Sequence, residues 1–496
     1  MALAVSVAAL GKDSPAGVDL NPQLAVVPTL REWHGSGGAF RFRDGAQIVL
    51  DAADAEALNP TAEAFQEDLA SLTGRRLQIA QGQHPAPGDV FLTLYADDDA
   101  IGTEGYVLEI GAGVDIRAHS PAGVFYGTRS LLQMLVAGGS SFLLRGSARD
   151  YPHYSERGLM LDVSSRFVPI SALKRYIRHL SWYKFNDLQL ELNDNGGFRL
   201  DSPAFHGLAA TDGSYTETEF RDLQAYALVR GITITPEIDS PGHAAALTRY
   251  RPDLANPQHA NLLNLASPDT YSFMASLWGA LVPWFTGPRV AIGADEYDPA
   301  DGDGYRAYVN FLDTLLRHHG KSVRMWGSLS REPGRITVRT DITLEEWDTA
   351  WSNPMAGDQF GFPIINASSE FLYIVTPRSP WYADHIDTRN LYEGWQPGIF
   401  TRGNASMNMP RGDPRLLGAM FDFWGDAASR DAFDRVHAAM PVVGEKLWND
   451  ASATMSYQAF AAAAERAMLG VRGDVADRPG HAMPIGPCLT PATGAY

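Results

Sequence analysis

The early part of the chain alternates. Apolar and polar positions exchange with period 2 at 39–50, 89–95 and 105–118, as in half-buried strands. Helical spacing appears at 61–72 and 123–135. Strands with a few helices on one face predict a small α+β domain over 25–150, after a loosely ordered leader over 1–24. From about residue 156 the rhythm changes. Short continuous apolar runs alternate with helical segments, the βα pattern of a parallel sheet. The predicted strands are 157–163, 187–192, 232–238, 289–293, 322–326, 342–347, 363–367 and 417–424. A capping box, Thr216 with Glu219, opens a helix running into 220–229, and another helix is expected at 304–318. Eight strands with crossover helices predict an α/β protein whose 151–471 region is a (β/α)8 barrel. The stretch 376–415 is poorly periodic and predicts an elaborated loop after the seventh strand. A closing helix is expected at 457–469, and 472–496 is a Pro- and Gly-rich tail.

Composition narrows the function. The chain has 496 residues and a formal net charge of −18. An acidic chain is a poor fit to nucleic-acid backbones or anionic membranes, which need a basic face. A neutral small molecule or glycan suits this balance better. No apolar run reaches the ~18 residues of a membrane span. The single cysteine, Cys488, leaves no intramolecular disulfide and no multi-cysteine metal site. No phosphate-binding glycine loop or nucleophilic Ser or Cys elbow is present, and neither cofactor nor metal is expected.

Barrel enzymes place reacting groups at the C-terminal ends of their strands. Those ends carry Asp162, the run 193–195 with Asp194, Glu237 and Asp239 with His243, Asp295-Glu296, Trp326, Trp347, the run 368–373 ending in Tyr373, and Trp424 with Asp426. Carboxylates and three tryptophans on one rim match a sugar site: aromatic faces cover the C–H faces of a pyranose, and charged groups bond its hydroxyls. Adjacent carboxylates such as Asp295-Glu296 favour one raised pKa, which suits a general acid. A retaining glycosidase with its own nucleophile needs carboxyls ~5–5.5 Å apart across the bond, which sequence neighbours do not readily supply. An N-acetyl sugar offers another route, in which its own acetamido oxygen attacks the anomeric carbon.

Five motifs carry a resemblance: Arg157-Gly-Leu-Met-Leu-Asp162, the run 186–195 with Asp194, Pro236-Glu-Ile-Asp239-Ser-Pro-Gly-His243, Gly293-Ala-Asp295-Glu296-Tyr297, and the tryptophan series. In this order the chain resembles the family 20 glycoside hydrolases, the β-N-acetylhexosaminidases and lacto-N-biosidases. The segment Ala122-Gly-Val-Phe-Tyr-Gly127 resembles that family's small α+β domain. The resemblance implies a substrate-assisted mechanism on an oligosaccharide or glycoconjugate. It implies that Glu296 is the acid/base, that Asp295 holds the acetamido N–H, and that Tyr373 donates to the acetamido oxygen. Trp326, Trp347 and Trp424 would cage the acetyl group, and Arg157 would bind ring hydroxyls. Asp194 and His243, supported by Asp239, would form a polar network behind the acid. Asp162 is expected to be structural. An extracellular location is the expectation from the nature of such substrates; the apolar segment 1–10 lacks a basic flank.

Three positions depart from the common single-sugar members. Val375 stands where they carry an Asp, Asp426 where they carry a longer Glu, and 193–197 replaces an acidic, glutamine-bearing segment. Buried unpaired hydroxyls cost ~1–3 kcal/mol, so a pocket closing on one sugar needs those partners. The resemblance therefore leans to a lacto-N-biosidase releasing Gal-β1,3-GlcNAc, with single-sugar release as the alternative. A non-catalytic glycan-binding barrel and a metal-assisted hydrolase are further alternatives. The acidic run 298–304 lacks the spacing of a calcium loop.

Overall fold

The computed structural model describes residues 21–22, 24–297, 301–359, 361–450 and 455–471. Nearly all of the expected leader and tail lie outside these residues. Two compact units are present.

The first unit holds β1 (Glu32–Phe40), β2 (Gln47–Asp51), α1 (Ala55–Thr73), β3 (Gln78–Gly82), β4 (Val90–Thr93), β5 (Tyr106–Ile110), β6 (Val114–Ala118), α2 (Pro121–Ala137) and β7 (Leu143–Asp150). The strands form one mixed sheet in the order β1-β7-β5-β6-β4-β2-β3. The alternating run at 39–50 is two elements, the end of β1 and β2, with a turn between. Ser120 caps α2 and Pro121 occupies its first turn. The glycines of 122–127 have a steric cause. A Cβ at Gly123 would lie 2.5 Å from the Gly105 carbonyl oxygen, and one at Gly127 would lie 2.5 Å from Ile116. The helix therefore rests directly on the sheet.

The second unit holds β8 (Glu156–Asp162), α3 (Ile170–Trp182), β9 (Asp187–Glu191), α4 (Glu217–Leu228), β10 (Thr233–Glu237), α5 (Ala245–Tyr250), α6 (Pro268–Leu281), β11 (Arg289–Ala291), α7 (Gly302–His318), β12 (Ser322–Trp326), β13 (Thr343–Glu346), α8 (Pro354–Gln359), β14 (Ile364–Asn366), β15 (Tyr373–Val375), α9 (Thr388–Gly394), β16 (Leu416–Trp424) and α10 (Arg430–Asn449). From β8 to β14 each strand pairs in parallel with the next, and β16 pairs with both β14 and β8, closing an eight-stranded barrel. The eight expected strands are these eight. They were legible because such strands are buried on both faces and lose their alternation; β8 is buried along its whole length. The extra strand β15 pairs with the C-terminal end of β16. The helix α11 (Tyr457–Met468) forms where expected; among the described residues, those from Phe460 to Val471 group with the first unit and the barrel unit runs to Ala459. Among the described residues no helix is long and apolar enough to cross a membrane.

The barrel interior is layered. Its N-terminal end is filled by ions: Arg324 pairs with Glu156 at 2.6 Å and Asp187 at 2.8 Å, and Arg289 reaches Asp187 at 2.9 Å. Above them Gln189 donates to Glu237 and Glu345, both at 2.9 Å. Arg324 is 2% exposed, and its loss leaves Arg289, 2.9 Å from Asp187 and 3.7 Å from Glu156, as the one remaining ion-pair partner of two buried carboxylates among the described residues. Arg324→Met is expected to destabilise the barrel by about 3–5 kcal/mol, read as a shift in the urea midpoint.

Arg157 corrects the sequence expectation. It is the second residue of β8, at the N-terminal end of the barrel, and is fully buried. Its guanidinium donates to the carbonyls of Lys184 (2.8 Å) and Tyr154 (2.9 Å) and covers the Trp448 ring at 5.2 Å. It supports the floor of the barrel and reaches no rim position.

Candidate active site

The turn after β11 presents the two carboxylates, and its geometry begins with Gly293. A Cβ there would lie 1.7 Å from Asp239 Oδ1, so only glycine fits. Asp239 Oδ1 uses that closeness to accept from the Ala294 N–H at 2.9 Å. Tyr305 donates to the Ala294 carbonyl at 2.6 Å, and Asn193 donates to the Asp239 carbonyl at 2.7 Å. Ala294 (φ 67°), Glu296 (φ 51°) and His243 (φ 46°) all lie in the left-handed region. This conformation costs a non-glycine residue about 1–2 kcal/mol. It persists because the surrounding bonds over-determine it, as is common at functional sites. Ala294→Gly is expected to stabilise the protein by up to about 1 kcal/mol, read as a rise in Tm.

The two neighbours differ in surroundings. The Asp295 side chain is 13% exposed and that of Glu296 is 43% exposed, so solvent reaches Glu296 far more freely. Asp295 Oδ1 is buried and has no hydrogen-bond partner among the described residues. Burial pushes the Asp295 carboxyl up to about 6, with the Glu296 charge adding to it and His243 opposing. His243 stands between the acids. Its Nδ1 lies 2.8 Å from Asp194, and its Nε2 lies 3.3 Å from Glu296 and 3.7 Å from Asp295. Burial alone would lower the His243 pKa, but the Asp295 charge and the bonds to Asp194 and Glu296 hold it well above the ordinary histidine value. Three carboxylates thus favour the cationic form of His243. Asp239 serves the backbone of the turn after β11, and its hydrogen bond goes to Ala294 rather than to His243. Asp239, His243 and Asp295 offer ligand atoms within 4.8 Å of one another. Both imidazole nitrogens already face carboxylates, whereas a metal takes a neutral histidine.

The aromatic wall assembles from four strand ends. Trp326 and Trp424 lie 6.1 Å apart between ring centres, Tyr373 and Trp424 6.0 Å, and Trp347 and Tyr373 6.4 Å with planes 10° apart. Trp326 Nε1 donates to Glu237 at 2.7 Å, which ties the wall to the barrel interior. Glu237 itself sits one layer down, its carboxyl held well above the usual range by burial, then by the charges of Glu345 and Asp295. Trp347 Nε1 bonds the Gly327 carbonyl at 3.1 Å. Tyr373 is 6% exposed, and burial with the nearby Asp422 and Asp295 holds its phenol well above the ordinary value. Trp351 stacks on Trp347 at 6.0 Å, and Tyr382 lies 5.6 Å from Tyr373; sequence reasoning passed over both.

The remaining rim positions fall as follows. Val375 packs its apolar side chain against the aromatic cluster. Asp426 is exposed, and one of its oxygens accepts from the Ala428 N–H at 3.2 Å. Asp162 is buried and accepts from Ser164 and Ser165, a structural role as expected. The structure thus brings together Asp194, His243, Asp295 and Glu296 on one side and Trp326, Trp347, Tyr373 and Trp424 on the other, and leaves Arg157 out.

Comparison with known proteins agrees with this arrangement. Residues 154–451 match the model of the glycosyl hydrolase family 20 catalytic domain, and residues 23–151 match domain 2 of the same family. A lacto-N-biosidase of Bifidobacterium bifidum is 25% identical over 481 residues, covering 89% of this chain; the match spans 41% of that protein's length. A β-N-acetylhexosaminidase of Cellulomonas fimi is 28% identical over 399 residues, covering 73% of this chain and 79% of that protein. The solved structure of a β-N-acetylhexosaminidase from Streptomyces coelicolor A3(2) superposes with a TM-score of 0.77 at 24% identity, covering 92% of this chain and 97% of that one.

Proposed function

Since the chain belongs to glycosyl hydrolase family 20, we propose that it cleaves β-linked N-acetylhexosaminides with retention, using the substrate's acetamido group as nucleophile. The chain is a glycosidase, and a glycan is its substrate. The observation that carries the mechanism is the buried, unpartnered Asp295 Oδ1 beside the more exposed Glu296. A buried acceptor without a donor, whose charge is felt by the Tyr373 phenol, suits an acetamido N–H.

The acetamido carbonyl oxygen attacks the anomeric carbon as the glycosidic C–O bond breaks. Glu296 gives its proton to the departing oxygen. The positive charge of the oxazolinium ring spreads toward nitrogen, where the Asp295 carboxylate accepts the N–H and offsets that charge. Tyr373 donates to the acetamido oxygen and holds it in line. Trp326, Trp347 and Trp424 enclose the acetyl group and exclude water from it. In the second half, Glu296 takes a proton from water as the water oxygen bonds the anomeric carbon and the ring opens. The acetamide is restored, and two inversions leave the β configuration. His243 with Asp194 orients Glu296 and balances the paired negative charges. No step draws on a metal, so activity is expected to survive a chelator.

The departing unit is Gal-β1,3-GlcNAc in this reading. Val375 offers sugar hydroxyls no partner, and Asp426 stands exposed at the rim. A second reading is single-sugar release, which the names of most of the relatives favour. Lacto-N-tetraose and an aryl β-GlcNAc glycoside distinguish them. Disaccharide from the first with no turnover of the second is the expected result. Turnover of the aryl glycoside with no disaccharide from the tetraose establishes the second reading.

A further inference from the structure

The segment carrying His243 and the turn carrying Asp295 and Glu296 are both fastened to one helix. In α7, Tyr305, Tyr308, Val309, Leu312 and Leu316 are buried, a spacing that gives the helix one inward face. Tyr305 and Tyr308 share that face, and neither is exposed. Tyr305 donates to the Ala294 carbonyl at 2.6 Å, in the turn after β11. Tyr308 donates to Ser240 Oγ at 2.8 Å, in the segment that runs from Asp239 to His243. The helix is itself held: Arg306 donates to the carbonyls of Glu332 (2.7 Å) and Leu329 (3.1 Å).

These bonds act on the backbone that aims the acids. The Ala294 carbonyl and the Asp295 N–H share one peptide plane, so the Tyr305 bond fixes that plane. The side chains of Asp295 and Glu296 leave from the next two Cα positions. Ala294 and Glu296 have φ values of 67° and 51°, where local sterics oppose a residue with a side chain. The two segments also touch directly. The Ser240 N–H donates to the Ile292 carbonyl at 3.1 Å, and a Cβ at Gly242 would lie 2.2 Å from the Asp295 carbonyl oxygen. Backbone contacts therefore set the separation of His243 from the acids, and the two tyrosines brace them from behind. Both phenols are buried and bonded to protein, so they act through the backbone and not on a substrate.

We propose that Tyr305 and Tyr308 are positioning residues for the proton transfer, α7 holding Glu296 against His243 at the place where its proton reaches the leaving oxygen. The inference rests on Glu296 being the proton donor. Misplacing a reacting group by about 1 Å costs up to about 10²-fold, and here the cost falls on the step that needs the proton. Tyr305→Phe keeps the ring and removes only the hydroxyl. kcat/KM, which reports the bond-breaking half, is measured for the parent, Tyr305→Phe and Tyr308→Phe. One substrate pair is lacto-N-tetraose and the p-nitrophenyl β-glycoside of Gal-β1,3-GlcNAc. The other is diacetylchitobiose and p-nitrophenyl β-GlcNAc; the pair that the parent cleaves is used. Within a pair the leaving group is either a sugar, which needs the proton, or p-nitrophenol, which needs it little. The ratio within one preparation cancels any inactive fraction, so a merely structural defect leaves it unchanged. Tyr305→Phe is expected to lose about 10-fold on the sugar leaving group and less than about 3-fold on p-nitrophenol. Equal losses on both, or no loss on either, overturn the proposal. Where Tyr305→Phe does not fold, Tyr308→Phe decides on the same ratio. Glu296→Gln is run beside them. If it too loses equally on both substrates, the reading of Glu296 as donor fails; if it discriminates and the tyrosine variant does not, the positioning role alone falls.

Discussion

Replacing Glu296 by Gln is expected to lower kcat on an alkyl or sugar β-N-acetylhexosaminide by ~10²–10⁴-fold, with KM close to that of the parent. The side chain keeps its size and its place near His243 Nε2, 3.3 Å away, but no longer carries a transferable proton. The loss should depend on the leaving group. An activated aryl oxygen departs with little protonation, so the deficit in its first step shrinks. A plot of log kcat/KM against leaving-group pKa will be steeper for Glu296→Gln than for the parent enzyme. Equal slopes would remove Glu296 from the proton transfer.

Asp295→Asn is the second large effect, ~10²–10³-fold in kcat, the usual scale for losing one preorganised electrostatic group at a developing charge. Its pH dependence is diagnostic. The Asp295 carboxyl is pushed up to about 6, and in the proposed mechanism its ionised form is the one that offsets oxazolinium charge. Below about pH 6 the free enzyme is protonated there, so kcat/KM should fall tenfold per unit. The residual activity of Asp295→Asn should lack that limb. Stability moves the other way. The folded pKa lies above the ordinary 3.8, so folding takes up a proton between 3.8 and about 6. The cost of the buried charge is complete above that window and absent below it. Asp295→Asn should therefore raise Tm at pH 7 and leave it nearly unchanged at pH 3.5.

The barrel was readable because burial on both faces writes a plain apolar run, and because 216–219 spells its own helix start. The grouping of Asp239, His243, Asp295 and Glu296 was readable for a related reason. Gly293 and the Asp239–His243 segment are fixed by contacts too close for other residues, so the motif carries the geometry in its spelling. What the pattern did not carry is which end of a strand a residue occupies. Arg157 belongs to a motif that ends at the rim with Asp162, yet it lies five residues below, at the N-terminal end of the strand against Trp448 of α10. Strand β15 is three residues long, too short to show a period, although its first residue, Tyr373, was named as the end of the run 368–373. Helix α10 contains Pro441, a residue that reads as a helix break. Tyr382 sits in a segment without periodicity, where two adjacent aromatics in a polar loop, Trp381 and Tyr382, were the available sign.

The participation of the acetamido group is tested most directly by a series of aryl β-glycosides of Gal-β1,3-GlcNAc, the unit released in the reading above, whose N-acyl group is acetyl, fluoroacetyl, difluoroacetyl or trifluoroacetyl. Each fluorine withdraws electron density from the carbonyl oxygen while barely changing its shape. If that oxygen attacks the anomeric carbon, log kcat/KM falls steeply and linearly along the series. A flat series would mean that the nucleophile comes from the protein.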